Sequence, residues 1–331
     1  MIPTQEYGNL PTAGVEIEVV EWINVVTRAD ICNNLISQGY MDEKAGYQNA
    51  YHDYHCKCET CTLWTSDPLG VKCPEPIQVA LTYDGSLPTE GGEFITSPFP
   101  VHGYFMNEMQ QILTTVGKDA NWTLARKAMR GNGLASPSIH IHTSVFNPYT
   151  DSHETDFTQL MYGYFPELFM LACSAGVERG MFFRKAMTAS MANSMTNQTR
   201  IVIGDDANWA HHLFLANRQN RNRHLSQYYY HEWRMFEAAY NDWPYVAGAI
   251  YLTSALSQLA FNYDVVNVLE GYAKLNNWFN PGLNLSDSAT FKKAFDRQRL
   301  KLLERAVQEY TFLKNDPVAS EVVRLFVQRV M

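Results

Sequence analysis

The segment Gly14-Val15-Glu16-Ile17-Glu18-Val19-Val20 constrains this chain more than any other stretch. Alternating apolar and acidic residues fit a strand with one dry and one charged face, because residues i and i+2 share a face. Val15, Ile17 and Val19 then point one way, and Glu16 and Glu18 the other. Two carboxylates about 7 Å apart on one face repel each other. They want either open water or a cation between them. The pattern recurs in residues 138–146, where Ile139 and Ile141 share one face and Ser138, His140, His142 and Ser144 the opposite one. In residues 231–236, Glu232 and Arg234 lie opposite Trp233 and Met235, and Glu93 follows Gly91-Gly92 at the start of a further strand.

For any one of these strands a wet face of an antiparallel sheet is the ordinary explanation. The set carries more weight. Several strands offering Glu, His and Arg at alternate positions are what one sheet face would need to hold hard cations and phosphate. Carboxylates suit Mg²⁺, whose remaining positions nucleotide phosphates fill. Arg suits a phosphoryl group through its planar fork of donors.

Along the chain, residues 13–26 read as a first strand, 79–83 and 92–96 as short strands, 105–116 as a helix and 138–146 as a strand. Longer helical segments follow at 156–176, 179–195, 207–218, 244–272 and 287–314, with a β-like stretch at 228–238. No repeat of 20–50 residues is visible. The expected class is α+β.

With 46% hydrophobic and 18% charged residues and 43 aromatics among 331, the chain has the apolar content that disordered chains lack. A net charge of −8 without a Lys/Arg run argues against nucleic acid as the main partner. No apolar stretch approaches the roughly 18 residues of a membrane span. The first twenty residues lack a basic and then apolar leader. The expectation is a soluble, cytoplasmic protein. Oligomeric state is not legible.

Taken in order, Gly-Val-Glu-Ile-Glu (14–18), Asp84-Gly85-Ser86, Gly91-Gly92-Glu93, Ser97-Pro98, His140-Ile141-His142 and Glu232-Trp233-Arg234 resemble the amidoligase family. These are carboxylate–amine ligases of the glutamine synthetase and glutamate–cysteine ligase superfamily. The matched segments span about residues 14–238, and the last 90 residues take no part. The resemblance implies a single catalytic domain over residues 1–331, with a curved antiparallel sheet lining the active site and helices behind it. A Cys-rich insertion at 51–75 and a helical region at 241–331 complete the expected organisation. The implied chemistry uses ATP: a carboxylate takes the γ-phosphoryl group to give an acyl phosphate, and an amine displaces phosphate to give an amide. Glu16, Glu18 and Glu93 would be Mg²⁺ ligands on the nucleotide side, with Glu232 a further one. His140 or His142 would stand beside the metal or the phosphates, and Arg234 would stabilise the transferring phosphoryl group. Asp84 would orient the amine, or simply cap its turn. Arg179, Arg184, Arg200, Arg221 and Arg223 lie between the third and fourth strands. Arg223, closest in sequence to Glu232, is the one assigned to the nucleotide and carboxylate pocket. The chain lacks a GxxxxGK[ST] loop, so a P-loop ATPase is unsupported.

Cys56, Cys58, Cys61 and Cys73 fall within 18 residues, with His52 and His55 just upstream. Four thiolates in a stretch poor in aliphatic residues meet the needs of a structural Zn²⁺, which supplies folding energy that so small a core cannot. The first spacing, C-x-C, is tighter than the common one, and a redox pair or unrelated thiols are the alternatives. Cys32 and Cys173, in apolar contexts, read as core residues.

Three functions compete. One is the ligase, acting on a small-molecule or peptide carboxylate and amine. Another is a zinc-knuckle binding or assembly protein whose ligase-like sheet does not turn over. The last is a metal-dependent hydrolase using the same residues to activate water.

Overall fold

The computed structural model describes residues 10–23, 26–42, 76–82, 87, 91–120, 137–144, 160–161, 163–175, 215–219, 229–274 and 293–331. The cysteine cluster and its flanking histidines lie outside them. So do Asp84, Arg179, Arg184, Arg200, Arg221, Arg223 and the 179–195 segment.

Among the described residues, seven strands form one antiparallel sheet: β1 (Thr12–Val19), β2 (Val79–Thr82), β3 (Gly92–Thr96), β4 (Phe99–Pro100), β5 (Ser138–Ser144), β6 (Leu215–Gln219) and β7 (Tyr229–Glu237). Their order is β2-β3-β1-β5-β7-β6, with β4 paired to β1. The first strand therefore sits near the middle, with β3 on one side and β5 on the other.

Alternation decides which side of the sheet is dry. Val15, Ile17, Val19, Phe94, Ile139, Ile141 and Trp233 are at most 1% exposed and belong to one apolar core. Each such side chain contributes about 1.5–3 kcal/mol on burial. The helices packed there are α1 (Arg28–Ser37), α2 (Gly103–Gly117), α3 (Phe165–Ala172), α4 (Trp243–Leu259), α5 (Tyr263–Lys274), α6 (Arg297–Tyr310) and α7 (Pro317–Gln328). α4 is buried nearly all round, in keeping with its run of Ala, Leu, Ile and Tyr. Capping fixes several starts. Thr27 and Asp30 form a capping box on α1, and Asp242, Asp296 and Asp316 cap α4, α6 and α7. Pro244 and Pro317 stand in first turns, where their missing N–H costs nothing.

The mixed architecture with an antiparallel sheet agrees with the α+β expectation, but several boundaries move. The first strand ends at Val19 rather than running to residue 26. Of the helix expected over 207–218, the described end falls in strand β6 at Leu215–Gln219, whose pairing with β7 overrides local propensity, and residues 207–214 lie outside the described ones. The 244–272 segment is two helices, broken between Leu259 and Tyr263. The described part of 156–176 holds α3, and α6 begins at Arg297 with a 3₁₀ turn after it at Phe312–Asn315. Among the described residues no helix is long and apolar enough to cross a membrane.

Candidate functional site

Pairing registers bring the expected residues onto the sheet face opposite the core. Glu18 pairs with Glu93, and Glu16 pairs with His140. His142 stands opposite Gly14 on one side and Glu232 on the other. Between Ile139, opposite Phe236, and Ile141, opposite Trp233, β7 has one residue too many. Arg234 and Met235 thus share the place facing His140, a β-bulge of the kind common at functional sites.

The bulge has a second effect. Strict alternation from Trp233 would send residue 237 into the core, but the extra residue resets the phase. Glu237 stands opposite Ser138, on the charged face, and is 1% exposed. Period-two reading of residues 228–238 could not find it. An irregularity in hydrophobic spacing, with both Met235 and Phe236 buried, was the only signal available.

A hydrogen-bonded chain crosses β1 and β5. His142 Nε2 lies 2.7 Å from Glu16 Oε1, and His140 Nδ1 lies 2.7 Å from Glu16 Oε2. His140 Nε2 is 2.7 Å from Ser138 Oγ, which donates to Glu18 Oε2 at 2.5 Å. His140 and Ser138 are fully buried, whereas Glu16 and His142 are part-exposed and form the rim. Burial pushes the Glu16 carboxyl up, but the charge of His142 and the hydrogen bonds of both imidazoles outweigh it and hold Glu16 well below the usual carboxylate range.

Ser138, His140 and Glu16 lie in the order of a nucleophile, base and orienting carboxylate. They do not form a nucleophilic site. Ser138 is sealed from solvent, and its hydroxyl hydrogen goes to Glu18, leaving none for His140 to accept.

Metal binding fits better. Ligand atoms of Glu16, Glu93 and His140 lie within 4.8 Å of one another. Donors on Mg²⁺ stand about 3.0 Å apart at adjacent positions and about 4.2 Å apart at opposite ones, given metal–oxygen distances near 2.1 Å, so the three atoms must draw together to share one ion. The two carboxylates suit a hard cation. Both nitrogens of His140 are already engaged, by Glu16 and Ser138, so ligation there would cost a hydrogen bond.

The backbone around these residues is tightly fitted. A Cβ on Gly91 would come within 2.4 Å of the Val19 carbonyl oxygen, so only glycine lets β3 start this close to β1. Arg28 donates to the Gly91 carbonyl at 3.2 Å. Ser97 clasps the other end of β3: its N–H donates to Gln78 O at 2.6 Å and its Oγ accepts from Gln78 N at 3.0 Å. Thr96 Oγ1 accepts from Val15 N at 2.8 Å. Ser97 is therefore a strand-end clasp.

Glu16, Glu18, Glu93, His140 and His142 are thus gathered on one face, with Arg234 and Glu232 in register beside the two histidines. Comparison with models of known protein families and with curated proteins finds no match to this chain.

Proposed function

We propose that this protein is an ATP-dependent carboxylate–amine ligase with a Mg²⁺ site on the charged face of its sheet. The observation that carries the reading is the meeting of Glu16, Glu93 and His140 ligand atoms within 4.8 Å. It is supported by the bulge that sets Arg234, with Met235, against His140, and by Glu232 opposite His142.

In this reading Glu16 and Glu93 hold the cation beside His140, with Glu18 and Glu232 as further ligands. When bound, Mg²⁺ neutralises charge on the nucleotide phosphates. Arg234 offers planar donors to the transferring phosphoryl group, a task that needs positioning and charge more than covalent help. His142, at the rim, orients Glu16 through one oxygen while His140 fixes the other. A substrate carboxylate takes the γ-phosphoryl group and ADP leaves. An amine then attacks the acyl carbon, phosphate departs, and an amide remains. The glutamine synthetase-like fold, the Arg223 contact and a structural Zn²⁺ on Cys56, Cys58, Cys61 and Cys73 belong to the same proposal. Substrates are free amino acids, peptides, polyamines or protein side chains.

The test is a screen of carboxylate and amine pairs for ADP release, with mass spectrometry of products. Turnover should require Mg²⁺ and both substrates, and fall at least a hundredfold in Glu16→Gln and Arg234→Ala. Unchanged turnover in those variants would refute the site. Cleavage of an added amide to carboxylate and amine without nucleotide would make the protein a hydrolase instead.

A further inference from the structure

Glu18 is held at both ends. Ser138 fixes its carboxylate, and the Tyr240 hydroxyl donates to its main-chain carbonyl across 222 residues of sequence. The paired residues between β1 and β5 end at Ile17 and Ile139, so Glu18 lies just past that ladder. A side chain from the corner between β7 and α4 takes over where strand pairing stops. Tyr240 is 4% exposed, and its approach depends on Gly117 at the end of α2. A Cβ there would come within 2.2 Å of Tyr240 Cβ. Glu18 in turn pairs with Glu93 across β1 and β3, so its main-chain position sets the separation of two candidate cation ligands.

We propose that Tyr240 is a positioning residue for the cation site, acting through the Glu18 main chain; the inference rests on the metal-site reading above. Partners behind the ligands fix ligand geometry, and their loss costs roughly ten- to a hundredfold in metal affinity. Trp22 supplies the control. Its Nε1 donates to Val116 O at 2.7 Å, beside the same end of α2, a bond in which Glu18 takes no part.

The experiment titrates Mn²⁺ into wild type, Tyr240→Phe and Trp22→Phe, following free Mn²⁺ by electron paramagnetic resonance, with thermal melts of each protein before Mn²⁺ is added. The expected result is ten- to hundredfold weaker binding in Tyr240→Phe, retained folding, and wild-type affinity in Trp22→Phe whatever its melting temperature. Wild-type affinity in Tyr240→Phe would overturn the proposal. Equal weakening in both variants, or a Tyr240→Phe protein that does not fold, would reduce Tyr240 to a structural tie and also overturn it. If wild type binds no Mn²⁺, the metal-site reading itself fails and takes this inference with it.

Discussion

Ser138 Oγ lies 2.5 Å from Glu18 Oε2, the two residues standing side by side on adjacent strands with almost no exposure to solvent. Removing the hydroxyl leaves a buried carboxylate without that donor. Ser138→Ala should therefore lose about 1–3 kcal/mol of stability, while Ser138→Thr, which keeps the hydroxyl, should lose less. Urea denaturation at pH 7 measures both.

Gly91 leads into Glu93. Gly91→Ala must displace main chain, since the new methyl would meet carbonyl oxygens of Val19 and Val20 at 2.4 and 2.7 Å. A stability loss of roughly 1–3 kcal/mol is expected, together with weaker Mn²⁺ binding. Gly103→Ala, with open space around its Cβ, is the matched control and should be near neutral.

Arg299 and Glu167 tie α6 to α3 through a buried fork, with Nη2 at 2.6 and 2.7 Å from the two carboxylate oxygens. The guanidinium also lies over the Tyr164 ring. Arg299→Ala strands a buried carboxylate and should cost about 3–5 kcal/mol. The double replacement Glu167→Leu with Arg299→Met should cost much less, because no charge is left uncompensated. A shift of the denaturant midpoint reads the difference.

His231 sits between the sheet and α4, with Nδ1 2.9 Å from Ser257 Oγ, and Ser257 in turn reaches Thr143 at 2.6 Å. Burial pushes its imidazole down to about 3. Its folded value is below its unfolded one, so between pH 6.5 and 3 the unfolded chain binds more protons. Stability should be fully present above pH 6.5 and fall by a few kcal/mol as pH drops toward 3. His231→Asn should be less stable at pH 7 and show a flatter acid limb in urea titrations.

Burial likewise pushes the Cys32 thiol up to about 11. At pH 8 only about one molecule in a thousand carries the thiolate. Iodoacetamide should leave Cys32 unmodified in native protein while the half-buried Cys173 reacts first, and label both in denaturant. Peptide mass spectrometry reads the order.

Much of the sheet was legible in the sequence because alternation at Glu16–Glu18 and Ser138–His142 reports burial directly. Val15, Ile17, Ile139 and Ile141 are in the core as their spacing demands. What escaped was set by tertiary partners. β6 exists because β7 offers it an edge, not because Leu215–Gln219 favours a strand. Glu237 reaches the charged face only through the bulge at Arg234 and Met235. Tyr240 carries no chemical motif and Ser97 entered only through the resemblance, and their bonds to Glu18 and Gln78 depend on how distant segments meet. Hydrophobic spacing records which side of an element is dry, and it carries no record of which distant group satisfies a given carbonyl.

The central place of β1 bears on synthesis. Its apolar residues emerge from the ribosome before those of its partners: β3 follows after roughly 70 residues and β5 only after more than 100. At about 5–20 residues per second, a Val- and Ile-rich segment waits several seconds with both edges open. The nascent chain should need chaperone shelter in that interval, and fragments ending before residue 92 should aggregate.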